Sequence, residues 1–238
     1  MMEVHKRNNF ICFGLLITIL IIVHYVIVLW PDVEMLQSQK ALFSWPAIGI
    51  IGLLGLPGVY LLNFTGLKKL WDAGVGIKQK VFYPFAVGLL LGSIQSVYDI
   101  FTGASDKIAA SMGLGDIHID FPFSIPVYTG GAIIVCTIYY LIPISFLVYL
   151  ISTRILKGKD EGTVFWSVGI LIALFEPITN PGISIIQQVG AVAIPMSVFV
   201  LFFNLVSITY IRKYGFITAY FLRIGEYSVW HILYPVVF

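Results

Sequence analysis

Seven stretches of this chain, at about 10–30, 45–65, 81–101, 127–153, 164–186, 189–211 and 215–237, are apolar over roughly the twenty residues a helix needs to cross a hydrocarbon layer about 30 Å thick. No other feature narrows the fold as far. In lipid a backbone must satisfy its own hydrogen bonds, so a chain of such runs folds as an all-α, polytopic transmembrane helix bundle. Composition agrees: 59% of residues are hydrophobic and 11% charged, against about 25% charged in soluble proteins. The basic residues sit in short loops without interleaved exposed aromatics, which gives nucleic-acid binding no support. Cys12 and Cys136 fall inside apolar runs and read as small buried hydrophobes. No repeat, low-complexity tract or soluble domain interrupts the pattern, so 1–238 reads as a single integral membrane domain.

The basic residues set the expected orientation. The first run, Phe10 to Trp30, follows His5, Lys6 and Arg7 but lacks a small-x-small cleavage site, so it reads as a first transmembrane helix rather than a secretory signal. Lys6 and Arg7, then Lys68, Lys69, Lys78 and Lys80, then Arg154, Lys157 and Lys159, then Arg212 and Lys213 occupy alternate connections. The other connections hold only Lys40 and Lys107, so eleven basic residues stand against two. Seven spans with the N-terminus in the cytoplasm and the C-terminus outside follow from the positive-inside rule. The expected location is a bacterial-type plasma membrane, with the bilayer itself as a partner.

Loops and breakers add detail. Leu67 to Lys80 places Leu67, Leu70 and Trp71 at helical spacing beside lysines, the pattern of a short interfacial helix or of an ordinary solvated loop. Thr102 to Pro126 carries Asp106, Asp116, His118 and Asp120 and reads as a structured cap or re-entrant loop. Gly49, Gly52 and Gly55, and Gly88, Gly92 and Ser96, put small residues on helix faces where backbones can approach closely. Pro143 interrupts the fourth run, and Pro177 and Pro181 the fifth, which is expected to unwind near Glu176.

Polar residues inside the apolar runs are the candidates for function, because a charge at that depth is costly. They are His24, Asp99, Glu176, Arg223, Glu226, Tyr227 and His231. Counted from Tyr214 at about 1.5 Å per residue, Arg223 lies roughly 13 Å deep, near the middle of the layer. Arg223, Tyr227 and His231 follow at spacing four and share a face, with Glu226 beside them. Glu226 and Glu176 are the expected partners of the guanidinium. Glu176, Arg223, Glu226, Tyr227 and His231 therefore form a predicted polar pocket toward the outer side, with Arg223 as anchor for an anionic or carbonyl group and His231 as a pH-responsive group. A buried ion pair that only fixes helix order explains the same residues.

Zinc needs three converging ligands. Glu176, Glu226 and His231 are of suitable type, but no HExxH occurs and a spacing of five aims Glu226 and His231 about 140° apart on a helix. No metal or other cofactor is expected. No GxSG-type serine motif lies in an apolar run. Tyr98-Asp99 and Gly113-Leu114-Gly115-Asp116 match the letters of presenilin-type aspartyl proteases, but the second group runs into a polar, proline-containing loop instead of an apolar helix.

From about Val127 to Tyr234 the order of features resembles the CPBP group, the CAAX-processing and bacteriocin-processing intramembrane proteases. That family carries a Gly-rich helix start leading to Glu-Glu-x-x-x-Arg, a helix with Phe-x-x-x-His, and a later helix with His and, four residues on, Asn. Here Gly130-Gly131 leads to Val135-Cys136 in the glutamate places and Tyr140 in the arginine place. Phe175 is followed by Glu176 and, four residues on, by Thr179. After Lys213-Tyr214-Gly215, Arg223 takes the His place and Tyr227 the Asn place. Every catalytic position departs from the motif, so the resemblance implies a relative that keeps the cavity without hydrolysis and binds a lipid-like or peptide ligand. A small transporter or channel component, and a non-catalytic scaffold or immunity partner, stay open as alternatives.

Overall fold

Among the described residues of the computed structural model, five helices are long and apolar enough to cross a membrane: α1 (span Arg7–Leu29 within Met2–Leu29), α3 (Trp45–Phe64), α4 (Lys78–Thr102), α6 (Ser124–Ile155) and α9 (Ala193–Tyr214). Between and after them come α2 (Gln37–Leu42), α5 (Ala104–Ser111), α7 (Glu161–Pro177), α8 (Ile183–Val189), α10 (Ile217–Tyr227) and, after a wide π-type turn at Ser228–Leu233, α11 (Tyr234–Val237). The structure describes residues 2–30, 35, 37–113, 116–179 and 183–237, and among them there is no strand. Two of the seven apolar runs thus stand apart from the five. The α-helix α7 is 17 residues long, and α10 carries Arg223 and Glu226.

What makes α10 different is that the bundle closes around it. Ile217, Thr218, Ala219, Tyr220, Leu222, Arg223, Gly225 and Glu226 are all buried, so protein rather than lipid faces most of its circumference. Its most extensive neighbour is α4, and the crossing is a glycine contact. A Cβ on Gly88 would collide with the Leu222 carbonyl oxygen, one on Gly92 would lie 2.5 Å from the Glu226 oxygen, and one on Gly225 would strike the Phe85 carbonyl. Such backbone-to-backbone approach is how helices gain packing in lipid, where apolar surface alone gives no drive to associate. Gly55 meets the Phe13 ring, whereas a Cβ on Gly49 or Gly52 would meet nothing within 4 Å among the described residues.

The prolines act differently from the expectation. Around Pro143 the helix α6 stays continuous, with a wide π-type turn at Thr137–Leu141 directly before the ring. The wider turn absorbs the hydrogen bond and the space that proline removes. Likewise α7 does not unwind at Glu176; it remains helical through Pro177, its last residue. Pro181 lies outside the described residues.

Two ends of the bundle are distinct. At the basic end, Leu67 to Trp71 is neither a surface helix nor a solvated loop. It tucks inward, with Leu67 and Leu70 buried, and the carbonyls of Lys69 and Leu70 accept from the amides of Phe216 and Ile217 at 3.2 and 3.0 Å. Two of the orphan donors at the start of α10 are satisfied in this way. Gly215, which joins α9 to α10 at φ 104°, is required twice over, since a Cβ there would also sit 2.5 Å from the Lys69 oxygen. Glu161 accepts from the Gly66 amide at 2.5 Å and pairs with Arg212 at 3.0 Å, and Asn9 Oδ1 accepts from the Trp71 amide at 2.7 Å. At the opposite end α5 and the segment before α6 form a cap. It starts at Gly103, φ 56°, whose amide closes α4 on Asp99 O at 2.7 Å.

Candidate functional site

Arg223 leaves α10 toward α7 and α9, away from α4. Its guanidinium grips Glu176 end-on, Nη1–Oε1 2.8 Å and Nη2–Oε2 3.0 Å. Nη2 also donates to Tyr140 Oη and Asn204 Oδ1, each at 3.2 Å. Tyr140 Oη donates to Asn204 Oδ1 at 2.6 Å, Asn204 Nδ2 donates to the Ala173 carbonyl at 3.3 Å, and the Phe203 ring lies 4.8 Å from the guanidinium carbon. The network ties α6, α7, α9 and α10 together at a point where every polar participant is buried. Charge-assisted, bidentate geometry is what allows an ion pair to persist without water. Arg223 Nε is buried and has no partner among the described residues.

Glu226 goes elsewhere. Three residues on from Arg223, it lies where α10 meets Gly92 of α4, and none of the ion pairs among the described residues includes it. The expected Arg223–Glu226 pair is therefore not formed; the guanidinium is taken by Glu176 instead. Glu226 is 5% exposed and no side-chain hydrogen bond reaches its carboxylate among the described residues.

A cavity of about 360 Å³ extends from this network toward the capped end. Glu176, Arg223, Glu226, Tyr227 and His231, the five residues of the predicted pocket, all line it. Most of the remaining wall is apolar, from Ile134, Val135, Phe199 and Phe203 at depth to Leu42 and Met112, both exposed, at the rim. Gln95 Oε1 and Trp230 Nε1, also of wall residues, are buried without a partner among the described residues.

Near the cap, His231 stacks on Tyr128 at 4.1 Å and packs against Trp230 at 4.3 Å. Its Nδ1 lies 3.1 Å from His118 Nδ1, so one imidazole donates and the other accepts. His118 is held by the loop before α6, where its amide donates to Asp116 Oδ1 at 2.8 Å. Burial pushes the His118 pKa below its ordinary value, against the pull of Asp116, Asp99 and Asp106.

Two of the sequence candidates lie outside the cavity. His24 Nδ1 contacts the Phe43 carbonyl at 2.8 Å and its ring packs on Trp45. Asp99 holds the start of α5 through the Ser105 amide at 2.7 Å and hydroxyl at 2.6 Å, a structural duty unlike that of a protease aspartate; Leu114 and Gly115 of the accompanying motif lie outside the described residues. Among the described residues no three His, Cys, Asp or Glu gather as a metal-ligand set. Asn204 and Gln95 belong to the same polar interior but are not among the sequence candidates; an amide inside an apolar run carries the same signal as a charge there, on a smaller scale.

Comparison with protein-family models, with curated proteins and with solved structures finds no match. What the fold and site define is a class: a helical bundle with the make-up of a membrane protein, holding a mostly apolar cavity over a buried polar floor.

Proposed function

We propose that this is a seven-span membrane protein, N-terminus in the cytoplasm and C-terminus outside, that binds a lipid-like ligand in its central cavity and does not hydrolyse it. The carrying observation is the cavity itself: about 360 Å³, chiefly apolar, ending in a polar floor at the Arg223–Glu176 pair. A largely apolar pocket of this size with a few convergent polar groups is the usual form of a small-molecule site.

The CPBP-like reading draws support from position. Tyr140, Glu176 and Arg223 fall at or beside the family's motif positions, Arg223 bonds to both of the others, and the Tyr227 ring lies 5.9 Å from the Arg223 guanidinium carbon. The residues present there are a phenol, a bound carboxylate and a guanidinium, which hold a head group but supply no base for water. Orientation draws support from the segregation of Asn9, Trp71, Glu161 and Arg212 to one end and His118 and His231 to the other.

The test fills the cavity. Gly131 lines it, and a Cβ there would meet only Tyr227, at 3.9 Å. Gly131→Phe should leave a folded protein that no longer carries an amphiphile through purification, as read by native mass spectrometry. Retention of the same bound species by Gly131→Phe would overturn the cavity reading.

A further inference from the structure

The polar wall of the cavity is specific about charge. Arg223 is neutralised by Glu176 through both oxygens, which leaves Glu226 as a buried carboxylate lining the cavity without a counter-ion among the described residues. A buried, unpaired carboxylate is costly, and a cation brought in by a ligand removes that cost. A second acceptor lines the same cavity. The Glu226 backbone packs against Gly92 on α4, and Gln95, three residues further along that helix, lines the same cavity with a buried Oε1 that has no partner among the described residues. The rings of Tyr227 and Trp230 also line it, and aromatic faces attract cations.

We propose that the ligand is an amphiphile with a primary ammonium head, seated with its nitrogen against Glu226 and Gln95 Oε1 and its chain along the apolar wall toward Leu42 and Met112. This assignment rests on the lipid-binding reading above. An ammonium has three donors and no acceptor, which suits a cavity that offers two acceptors. Whether the amine arrives charged to a carboxylate or neutral to a carboxylic acid, the same ion pair results, so no other reactant is needed. A fatty acid fits poorly, because the end-on fork of Arg223 is taken by Glu176 and its carboxylate would face Glu226. An alcohol would leave Glu226 without a counter-ion. The unpartnered donors Arg223 Nε and Trp230 Nε1 suit an oxygen a few bonds from the nitrogen, as in an amino alcohol or its esters.

Head group and chain separate cleanly in a matched series. Purified full-length protein in detergent micelles, stripped of co-purified lipid, is titrated with dodecylamine, dodecanol and dodecanoate. Wild type should bind dodecylamine about tenfold or more tighter than dodecanol, the scale of one charge-assisted hydrogen bond, with dodecanoate weakest. Glu226→Gln should lose that preference, with unchanged circular dichroism and elution volume showing that the variant is folded. Equal or tighter binding of dodecanol or dodecanoate by wild type, or an undiminished amine preference in Glu226→Gln, would overturn the head-group assignment and leave the cavity reading standing. Failure of all three chains to bind would overturn both. Competition by an ethanolamine-headed but not a choline-headed lysolipid would place the ammonium on a lipid head group, and competition by neither would assign the site to simple long-chain amines.

Discussion

Arg223 holds Glu176 through both carboxylate oxygens, at 2.8 and 3.0 Å, joining α10 to α7 across the middle of the bundle. Removing one partner of such a pair costs about 3–5 kcal/mol, mostly because the other charge is stranded. Arg223→Ala and Glu176→Ala should each lower the midpoint of thermal unfolding in detergent. The double variant should lose less than the sum of the two, with a coupling of about 1–3 kcal/mol. Additive losses would mean that the pair does not act as a unit.

Gly92 and Gly49 are both helical glycines in apolar runs, yet only Gly92 has a neighbour. Gly92→Ala pushes a methyl to 2.5 Å from the Glu226 carbonyl oxygen, a backbone atom that cannot step aside without moving α10. Overpacking of this kind costs about 1–3 kcal/mol. Gly49→Ala meets nothing within 4 Å and should be neutral or stabilising by up to about 1 kcal/mol, the helix-propensity difference. Thermal midpoints of the two variants side by side check the contrast.

How much of this was readable beforehand follows from which forces act over short sequence distances. Runs such as Trp45–Phe64 announce themselves because lipid acts on each residue singly, and the spacing of Arg223, Tyr227 and His231 announces a shared face for the same reason. Glu176 and Glu226 were both expected partners of Arg223, and the choice between them was not readable. Glu226 is three residues from Arg223 and Glu176 is forty-seven, but whether the guanidinium turns toward α7 depends on how α4 and α10 cross at Gly88, Gly92 and Gly225. The inward tuck of Leu70 was equally hidden, since its lysine neighbours resemble a surface helix and only the uncapped start of α10 explains why that loop turns in. Of the cavity's polar wall, Gln95 and Asn204 were legible in principle as amides within apolar runs.

His118 and His231 meet Nδ1 to Nδ1 at 3.1 Å, and this contact fastens the cap to the end of α10. Burial lowers the His118 pKa, with Asp116 opposing. Above its unfolded value of about 6.5 the ring is neutral in both states and the contact is intact. As pH falls from there toward the lower folded value, the unfolded chain binds a proton that the folded one resists, so stability declines. The thermal midpoint should therefore drop between pH 7 and pH 5, and His118→Gln should flatten that drop. An unchanged slope in His118→Gln would assign the pH response to other groups.

The proposed orientation makes opposite claims for Lys157 and Met112. Lys157 follows α6 at the end where Glu161 pairs with Arg212 and accepts from the Gly66 amide; Met112 closes α5 in the cap at the other end. Both are exposed. In a background with Cys12→Ser and Cys136→Ala, a membrane-impermeant maleimide added to intact cells should label Met112→Cys. Lys157→Cys should react only after permeabilisation, because eleven basic residues in alternate connections favour the cytoplasmic face for that end. The reverse pattern would invert the protein in the membrane. Labelling of both positions from one side would instead remove a span between them, and α6, as the single long helix between Met112 and Lys157, would then have to lie within the bundle without crossing.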